Sequence, residues 1–185
     1  MDDHFCPWWL GWAIDNPLRR LIHDPEKILG PYIGKGQTVM DVGCGLGLFS
    51  LGMAGMVGEE GRVIAVDFQE RMLRTLESRA RKAGLLSRIS LHLSRRNGLG
   101  VTDRVSFALA FWMVHEVPDR KALLREISGL LEPGGRFLLV EPRIHVTEED
   151  FGEIVGEASA AGMRSLERLP VRWSRAVLLA PDQSD

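Results

Sequence analysis

The sequence predicts an α/β fold in which helices cover both faces of a doubly wound, mostly parallel sheet. Apolar and β-branched runs recur at about residues 37–42, 62–67, 88–93, 105–111 and 135–141. Amphipathic segments of helical length separate these runs, and this alternation is typical of parallel strands joined by helices. A glycine-rich loop directly follows the first run, at the sheet edge where doubly wound proteins bind their ligands.

The first 36 residues differ in composition from the rest and predict an N-terminal helical cap, which precedes one α/β domain over residues 37–185. Asn16 before Pro17 is an N-cap signal for one short helix, and Asp24 before Pro25 repeats the signal for a second. The stretch GPYIGKG then separates the cap from the domain. The cap also holds an aromatic cluster, Phe5, Trp8, Trp9 and Trp12.

Helical periodicity and capping signals predict the connecting elements in chain order. One helix lies in QERMLRTLESRARKAG and ends at Gly84, and a second lies in DRKALLREISGLLEPGG and ends at Pro133-Gly134. A third begins at Thr147, with Asp150 three residues on in a capping-box pattern. Two further strands, joined at Leu169-Pro170, complete the chain. The residues expected to face inward from these helices are Met72, Leu73, Leu76, Ala80 and Ala83; Leu123, Leu124, Ile127 and Leu131; and Phe151, Ile154, Val155 and Ala158.

Length and composition restrict the classes of protein to consider. The 185 residues, 45% hydrophobic and 26% charged, suffice for one globular domain with a core. The formal net charge of −2 gives no general attraction to nucleic acid or to anionic membranes. Two cysteines, Cys6 and Cys44, favour a reducing compartment over a disulfide framework. The acidic start and the lack of an 18-residue apolar run predict neither a signal peptide nor a membrane span, so we expect a cytoplasmic protein.

The glycine-rich loop, in VMDVGCGLGLFSL at residues 39–51, places Gly43, Gly45 and Gly47 after the first strand. Three glycines in five positions exceed what a tight strand-to-helix turn requires. The dinucleotide-binding pattern G-x-G-x-x-G needs a glycine at position 48, where this chain has leucine. A P-loop needs a Gly-Lys-Ser/Thr sequence, which does not follow. The loop therefore predicts a ligand other than a simple phosphate.

Two carboxylates narrow the chemistry of that ligand. Asp41 stands beside the loop, where it would repel a pyrophosphate and stabilise an ammonium or sulfonium group. The helix N-terminus near residues 46–48 suits a ligand carboxylate. Asp67 ends the second strand, 24 residues after Gly43, and an acidic side chain at that position can bind both hydroxyls of a ribose. An amino acid joined to a nucleoside fits all of these features.

Four segments together resemble the class I, Rossmann-like methyltransferases that depend on S-adenosylmethionine. VMDVGCGLG is similar to their first motif, VIAVD to their second, FALAFWMVHEVPD to the region after their fourth strand, and LLEPGGRFLLVEP to the segment before their fifth. Order and spacing agree over residues 37–180. The resemblance implies a seven-stranded sheet in the order 3-2-1-4-5-7-6 with the last strand antiparallel. It also implies in-line transfer of a methyl group from the sulfonium of S-adenosyl-L-methionine to an acceptor.

The resemblance also implies a set of cofactor-binding residues, with two departures from the family pattern. Many relatives carry an acidic residue after strand three that contacts the adenine amino group, whereas this chain has LSRRNGLG there. Asn97 or a backbone carbonyl is the expected substitute. Ser106 stands where relatives often have aspartate at the start of strand four. The cofactor-binding residues that we predict are Asp41, Gly43, Cys44, Gly45, Gly47, Asp67, Phe68 and Asn97.

The chemistry of methyl transfer places few demands on the protein, because the sulfonium already activates the methyl group. His115 and Glu116 follow strand four at the ligand-binding edge, and His115 is a candidate base for an acceptor that carries a proton. The alternative is that His115 packs or forms hydrogen bonds around the cofactor loop. The aromatic cluster forms a lid over the acceptor pocket, packs onto the domain or covers a second subunit. The acceptor-site candidates are Trp8, Trp9, Trp12, Trp112 and Glu141.

The identity of the acceptor stays open, and other functions compete. His4-x-Cys6 has no second pair of ligands, so we expect no metal. The expected partner is a small molecule, without nucleic acid or membrane, and a homodimer stays open. An NAD(P)-dependent oxidoreductase, an aminopropyl transferase that uses the decarboxylated cofactor, and a cofactor-binding module without catalysis are the alternatives to methyl transfer.

Overall fold

The strands of this computed structural model, which describes residues 22–95 and 98–182, form one mixed sheet. Within those residues the order is β3-β2-β1-β4-β5-β7-β6, as the sequence resemblance predicted. Strands β1 to β5 are parallel to one another, and β7 runs antiparallel to both β5 and β6. The strands are β1 Thr38–Val42, β2 Arg62–Asp67, β3 Ile89–Leu93, β4 Val105–Phe111, β5 Leu131–Pro142, β6 Met163–Arg168 and β7 Ser174–Pro181.

The helices begin where capping chemistry predicted. Asp24 accepts a hydrogen bond from the Glu26 N–H at the start of α1, and Thr147 with Asp150 forms the capping box that begins α5. The helices in the described residues are α1 Pro25–Leu29, α2 Leu48–Val57, α3 Glu70–Lys82, α4 Arg120–Leu130 and α5 Glu148–Ala160, with 3₁₀ turns at Leu86–Arg88 and Val114–Glu116. None of them is long and apolar enough to cross a membrane.

Two predicted details near helix ends were wrong. Ala83, expected on the buried face of the helix now labelled α3, is the exposed C-cap residue, because the chain turns at Gly84 with φ of 69°. The second helix, expected to end at Pro133-Gly134, ends at Leu130. Leu131 already belongs to β5 and pairs with Val105. Pro133 disfavours helical conformation in the residue before it and accounts for the earlier end.

Buried side chains cover both faces of the sheet. Val39 and Phe107 belong to the cluster under α2 and α3, together with Met53 and Leu76 from those helices. Their neighbours along the strands face the opposite way. That second cluster includes Met40, Leu124, Phe137, Phe151 and Ile154, from β1, α4, β5 and α5. The strands are therefore apolar on both faces, which explains the continuous apolar runs in the sequence.

The predicted N-terminal cap falls mostly outside the described residues. Residues 1–21 are not described, so the helix expected after Asn16 and the positions of Trp8, Trp9 and Trp12 remain predictions. The described part of the cap holds α1, which packs against α2. The contact is close, since a Cβ atom added to Gly52 of α2 would lie 2.5 Å from the Cβ of Pro25.

Candidate functional site

The glycine-rich loop joins β1 to α2 at the carboxyl end of the sheet, in a conformation that requires glycine. Gly45 and Gly47 have φ angles of 52° and 87°, which side-chain-bearing residues rarely adopt. A Cβ atom on Gly47 would also lie 2.2 Å from Cδ1 of Leu76, so α3 packs directly on this part of the loop. A Cβ on Gly45 would meet nothing within 4 Å. Gly47 therefore serves packing as well as the turn, whereas Gly45 presents open backbone.

Asp67 ties the end of β2 to this loop. The side chain is 7% exposed, and its Oδ2 accepts a hydrogen bond from the Gly45 N–H at 2.9 Å. Its Oδ1 accepts another from the Gln69 N–H, also at 2.9 Å. Burial raises the pKa of Asp67, although these backbone donors oppose the shift. The carboxylate thus fixes the loop while keeping further acceptor positions on both oxygens.

Asp41, just before the loop, and Cys44, within it, have buried side chains. Asp41 is 2% exposed and accepts a hydrogen bond from the Ser50 hydroxyl at 2.5 Å. Cys44 is buried as well, and burial, followed by the charges of Asp41 and Asp67, raises the pKa of its thiol well above the ordinary value. The thiol is therefore neutral near pH 7. A buried, neutral thiol packs within the fold and is not a nucleophile.

A cavity of about 360 Å³ opens beside the loop, between the ends of β1, β2 and β3 and the first half of α4. Phe68, 39% exposed, lies on its wall next to Asp67. The other lining residues are Val42, Gly43, Val66, Ser94, Arg95, Gly98, Leu99, Met113, Val117, Pro118, Asp119, Ala122, Leu123 and Glu126. Of the predicted cofactor residues, Gly43, Asp67 and Phe68 thus border one cavity. Asn97 lies outside the described residues.

A buried histidine–carboxylate pair lies at the adjoining ends of β4 and β5. Glu141 is fully buried, and its Oε1 accepts hydrogen bonds from the N–H groups of Val114 at 2.9 Å and His115 at 3.3 Å. Its Oε2 lies 2.5 Å from Nδ1 of His115. Partial burial lowers the pKa of His115, but the hydrogen bond to Glu141 and the charges of Glu141 and Glu116 outweigh it, so the pKa is raised.

The other predicted residues near this pair have different surroundings. Glu116 follows His115 on the 3₁₀ turn, with its Oε1 3.9 Å from Nε2 of the histidine. Trp112 has a φ of 62°, unusual for a bulky residue, and its indole N–H donates to the Ser174 hydroxyl at 2.9 Å. Its ring also packs edge-on against that of His23. Trp112 therefore contacts the β7 side of the site, and it is not among the residues lining the 360 Å³ cavity.

Three residues at the site escaped the sequence-based prediction. Ser50 binds Asp41 from α2, and the ring of His145 stacks on that of His115 with centroids 6.1 Å apart. Glu126 reaches the cavity from α4. A serine within the apolar stretch LFSLGMAGMV was a usable signal for Ser50, because a polar residue on a buried helix face needs a partner. His145 and Glu126 belong to no local motif.

Comparison with known proteins gives a consistent result. The sequence profile of a family described as "Methyltransferase domain" matches residues 33–174. Proteins named "Ubiquinone/menaquinone biosynthesis C-methyltransferase UbiE" from Enterobacter sp. (strain 638) and Klebsiella pneumoniae (strain 342) are each 30% identical over 115 residues. These matches cover 59% of this chain and 44% of each relative, so the chain matches less than half the length of these curated relatives.

Solved structures extend the comparison to almost the whole chain. A SAM-dependent methyltransferase from Aquifex aeolicus superposes with a TM-score of 0.85 at 26% identity, over 95% of this chain and 98% of the other. A SAM-dependent O-methyltransferase from Thermotoga maritima gives a TM-score of 0.68 at 20% identity, over 85% and 64% of the two chains. The second likeness concerns the fold alone.

Proposed function

The chain belongs to the family of methyltransferase domains, and from this premise we propose that it transfers a methyl group from S-adenosyl-L-methionine to a small molecule that must lose a proton. The predicted resemblance to S-adenosylmethionine-dependent methyltransferases is thereby confirmed at the level of the family. The family match favours methyl transfer over the alternative of an NAD(P)-dependent oxidoreductase. The observation that carries the proposal is the buried Glu141–His115 pair at the sheet edge that holds the glycine-rich loop.

The residues at and around the glycine-rich loop have the chemical groups that binding of S-adenosylmethionine requires. Open backbone at Gly45 suits close approach of a ligand, and Asp67 has acceptor positions left for two ribose hydroxyls. The buried negative charge of Asp41 favours a cationic ligand over a pyrophosphate. The cavity beside Asp67, with its largely apolar walls, suits a nucleoside base. When bound, S-adenosylmethionine supplies a methyl group that its sulfonium already activates.

His115 acts as the base in this proposal. Because Oε2 of Glu141 accepts the proton of Nδ1, the other ring nitrogen, Nε2, carries the lone pair that takes a proton from the acceptor. Glu141 cannot rotate away easily, since two backbone N–H groups hold its other oxygen. A buried carboxylate that orients a histidine in this way stabilises the imidazolium that forms. Glu116, more distant from the ring, contributes charge alone.

The kind of acceptor follows from the need for a base. Oxygen or activated carbon nucleophiles of phenols, catechols and hydroquinones lose a proton during methylation, and such acceptors suit a histidine base. The name of the C-methyltransferase relatives from Enterobacter and Klebsiella supports this class. The net charge of −2 gives no support for a nucleic-acid acceptor. A cytoplasmic location and the absence of nucleic-acid and membrane partners remain part of the proposal, and the homodimer stays open.

The pH dependence of transfer tests this function. Labelled methyl transfer from S-adenosylmethionine is measured over a panel of catechols and hydroquinones, and kcat/KM of the best acceptor is followed against pH. Since the pKa of His115 is raised from 6.5, kcat/KM should rise with pH through an apparent pKa above that value. The Glu141→Gln variant should move this rise to lower pH, because the charge that raises the pKa is gone.

Loss of the base itself gives the second test. His115→Gln should lower kcat about 10²- to 10⁴-fold while leaving the affinity for S-adenosylmethionine nearly unchanged. Glu116→Gln is the matched control on the same turn and should change kcat far less. If His115→Gln keeps wild-type kcat at every pH, then the histidine only packs beside the loop, and the proposed base is wrong.

A further inference from the structure

The acidic side chain of Glu126, on α4, lies at the wall of the cavity. It belongs neither to the glycine-rich loop nor to the end of a strand, so the role given to those motifs does not account for it. It is half-buried and contributes to the cavity wall. Its Oε2 accepts a hydrogen bond from the Leu99 N–H at 2.6 Å. Its Oε1 lies so close to Gly98 that a Cβ atom there would stand 2.6 Å away. Glycine at position 98 therefore permits the carboxylate to reach this place.

Some of the hydrogen-bonding groups near Glu126 already have partners, namely the backbone of Arg95 and Gly98 and one oxygen of Asp119. Arg95 and Gly98, which follow β3, exchange backbone hydrogen bonds of 3.1 and 3.3 Å. Asp119, the other acidic residue on the α4 wall, accepts the Ala122 N–H and caps that helix. Within residues 22–95 and 98–182, Oε1 of Glu126 makes no hydrogen bond. A carboxylate oxygen at a cavity wall thus keeps its acceptor capacity.

We propose that Glu126 accepts a hydrogen bond from the exocyclic amino group of the cofactor's adenine and so selects adenine among purines. This inference rests on the proposed function, which has S-adenosylmethionine bound at Asp67. A ribose held there directs its base into the adjoining cavity, whose walls include Phe68, Leu99 and Val117. The adenine amino group is a donor, and an ionised carboxylate is an acceptor alone, so the two groups are complementary.

The arrangement differs from an acidic residue placed directly after β3, because the carboxylate comes from the helix that follows β4. The sequence after β3 has no acid in LSRRNGLG, and α4 supplies one across the turn. The hydrogen bond from Leu99 holds Glu126 in place before any ligand binds. Such preorganisation reduces the side-chain entropy that binding would otherwise cost.

The test measures binding and not activity. Isothermal titration calorimetry compares S-adenosylhomocysteine with its analogue in which hydrogen replaces the 6-amino group of adenine. The wild-type chain should bind the amino compound about tenfold or more tightly, which is the usual range for a hydrogen bond to a charged group. In Glu126→Gln the amide oxygen stays with the Leu99 N–H, and the amide NH₂ group, a donor, faces the adenine amino group, so this ratio should fall to within about twofold of unity.

A second variant changes the position of the carboxylate without removing it. The methyl group of Gly98→Ala would displace Oε1, which is the end of a flexible side chain, so the ratio should fall again while the fold stays intact. Gly152→Ala is the matched control, since a Cβ there meets nothing within 4 Å, and Glu153→Gln controls for the lost charge on an exposed helix face. Both controls should keep the wild-type ratio.

The outcomes separate this inference from the function on which it rests. If Glu126 only holds the turn through Leu99, then Glu126→Gln weakens both ligands by the same factor and the ratio persists, which overturns the inference. Equal binding of the two ligands by the wild-type chain overturns it too, while S-adenosylmethionine binding as such stands. If the wild-type chain binds neither compound, then both the proposed function and the inference are wrong.

Discussion

Replacement of Asp67 by alanine should weaken cofactor binding and loosen the loop together, because this carboxylate anchors the loop and, in the proposed function, also binds the ribose. Its oxygens accept the N–H groups of Gly45 and Gln69, each at 2.9 Å, in a site where the side chain is 7% exposed. A hydrogen bond to a charged group contributes about 1.5–3 kcal/mol. Two of them therefore give about 3–6 kcal/mol, which the burial that raises the pKa of Asp67 partly offsets.

We expect a net loss of about 2–4 kcal/mol in the free energy of unfolding for Asp67→Ala. For a chain of this length, that loss lowers the melting temperature by about 5–15 °C. The affinity for S-adenosylhomocysteine should fall more than tenfold, since the ribose loses a charge-assisted acceptor and the loop loses its anchor. Thermal denaturation gives the first value, and calorimetry at a temperature where the variant is folded gives the second.

A surface carboxylate provides the control for this change. Asp103 is exposed and pairs with Arg62, and Asp103→Ala should lower the free energy of unfolding by less than about 1 kcal/mol. If Asp67→Ala melts within about 2 °C of the wild-type chain, as Asp103→Ala should, then the two backbone contacts do not anchor the loop. Unchanged cofactor affinity in a folded Asp67→Ala variant would separately remove Asp67 from the binding site.

Two further predictions concern stability alone. Gly47→Ala should destabilise the fold by about 2–4 kcal/mol in chemical denaturation, because the φ of Gly47 is 87° and Leu76 leaves no room for a methyl group. Gly55→Ala, on the open face of α2, is the control and should stabilise the fold by up to about 1 kcal/mol. Equal effects of the two substitutions would contradict this reasoning. Because the pKa of His115 is raised in the folded state, its pairing with Glu141 stabilises the fold fully below about pH 6.5 and less as pH rises through the folded pKa. The loss in the free energy of unfolding caused by His115→Gln, measured by chemical denaturation, should therefore be larger at about pH 6 than at about pH 9. A loss that does not depend on pH would count against the charged pair.

The fold was predictable because each of its signals is local. Buried strands such as Arg62–Asp67 stand out as apolar runs, and Thr147 with Asp150 marks a helix start within four residues. The errors arose where two local signals competed. Leu131 fits the helical period of α4, but the proline two residues later favours an extended chain, and pairing with Val105 decides for the strand.

The site was predictable to the extent that its residues lie in motifs. Gly43, Asp67 and Phe68, which lie in or next to motifs at strand ends, border one cavity, and their roles in cofactor binding stay predictions. The link between Glu141 and His115 was not predictable, because the motifs assigned the two residues separate candidate roles and the contact crosses 26 positions from β5 to the turn after β4. Glu126 lies on a helix whose sequence pattern marks it only as a polar position.

The two halves of the site depend on different kinds of contact, and this predicts how they respond to substitution. The half proposed to bind the cofactor is held by a hydrogen bond from a backbone N–H of the glycine-rich loop, so changes there should alter loop conformation and affinity together. The other half is held by strand pairing between β4 and β5, with a fully buried carboxylate in contact with a histidine. Since Glu141 lies within a rigid strand, conservative changes to its charge leave the loop in place and act on the protonation of His115. Under the proposed function, single substitutions should therefore separate cofactor binding from proton removal.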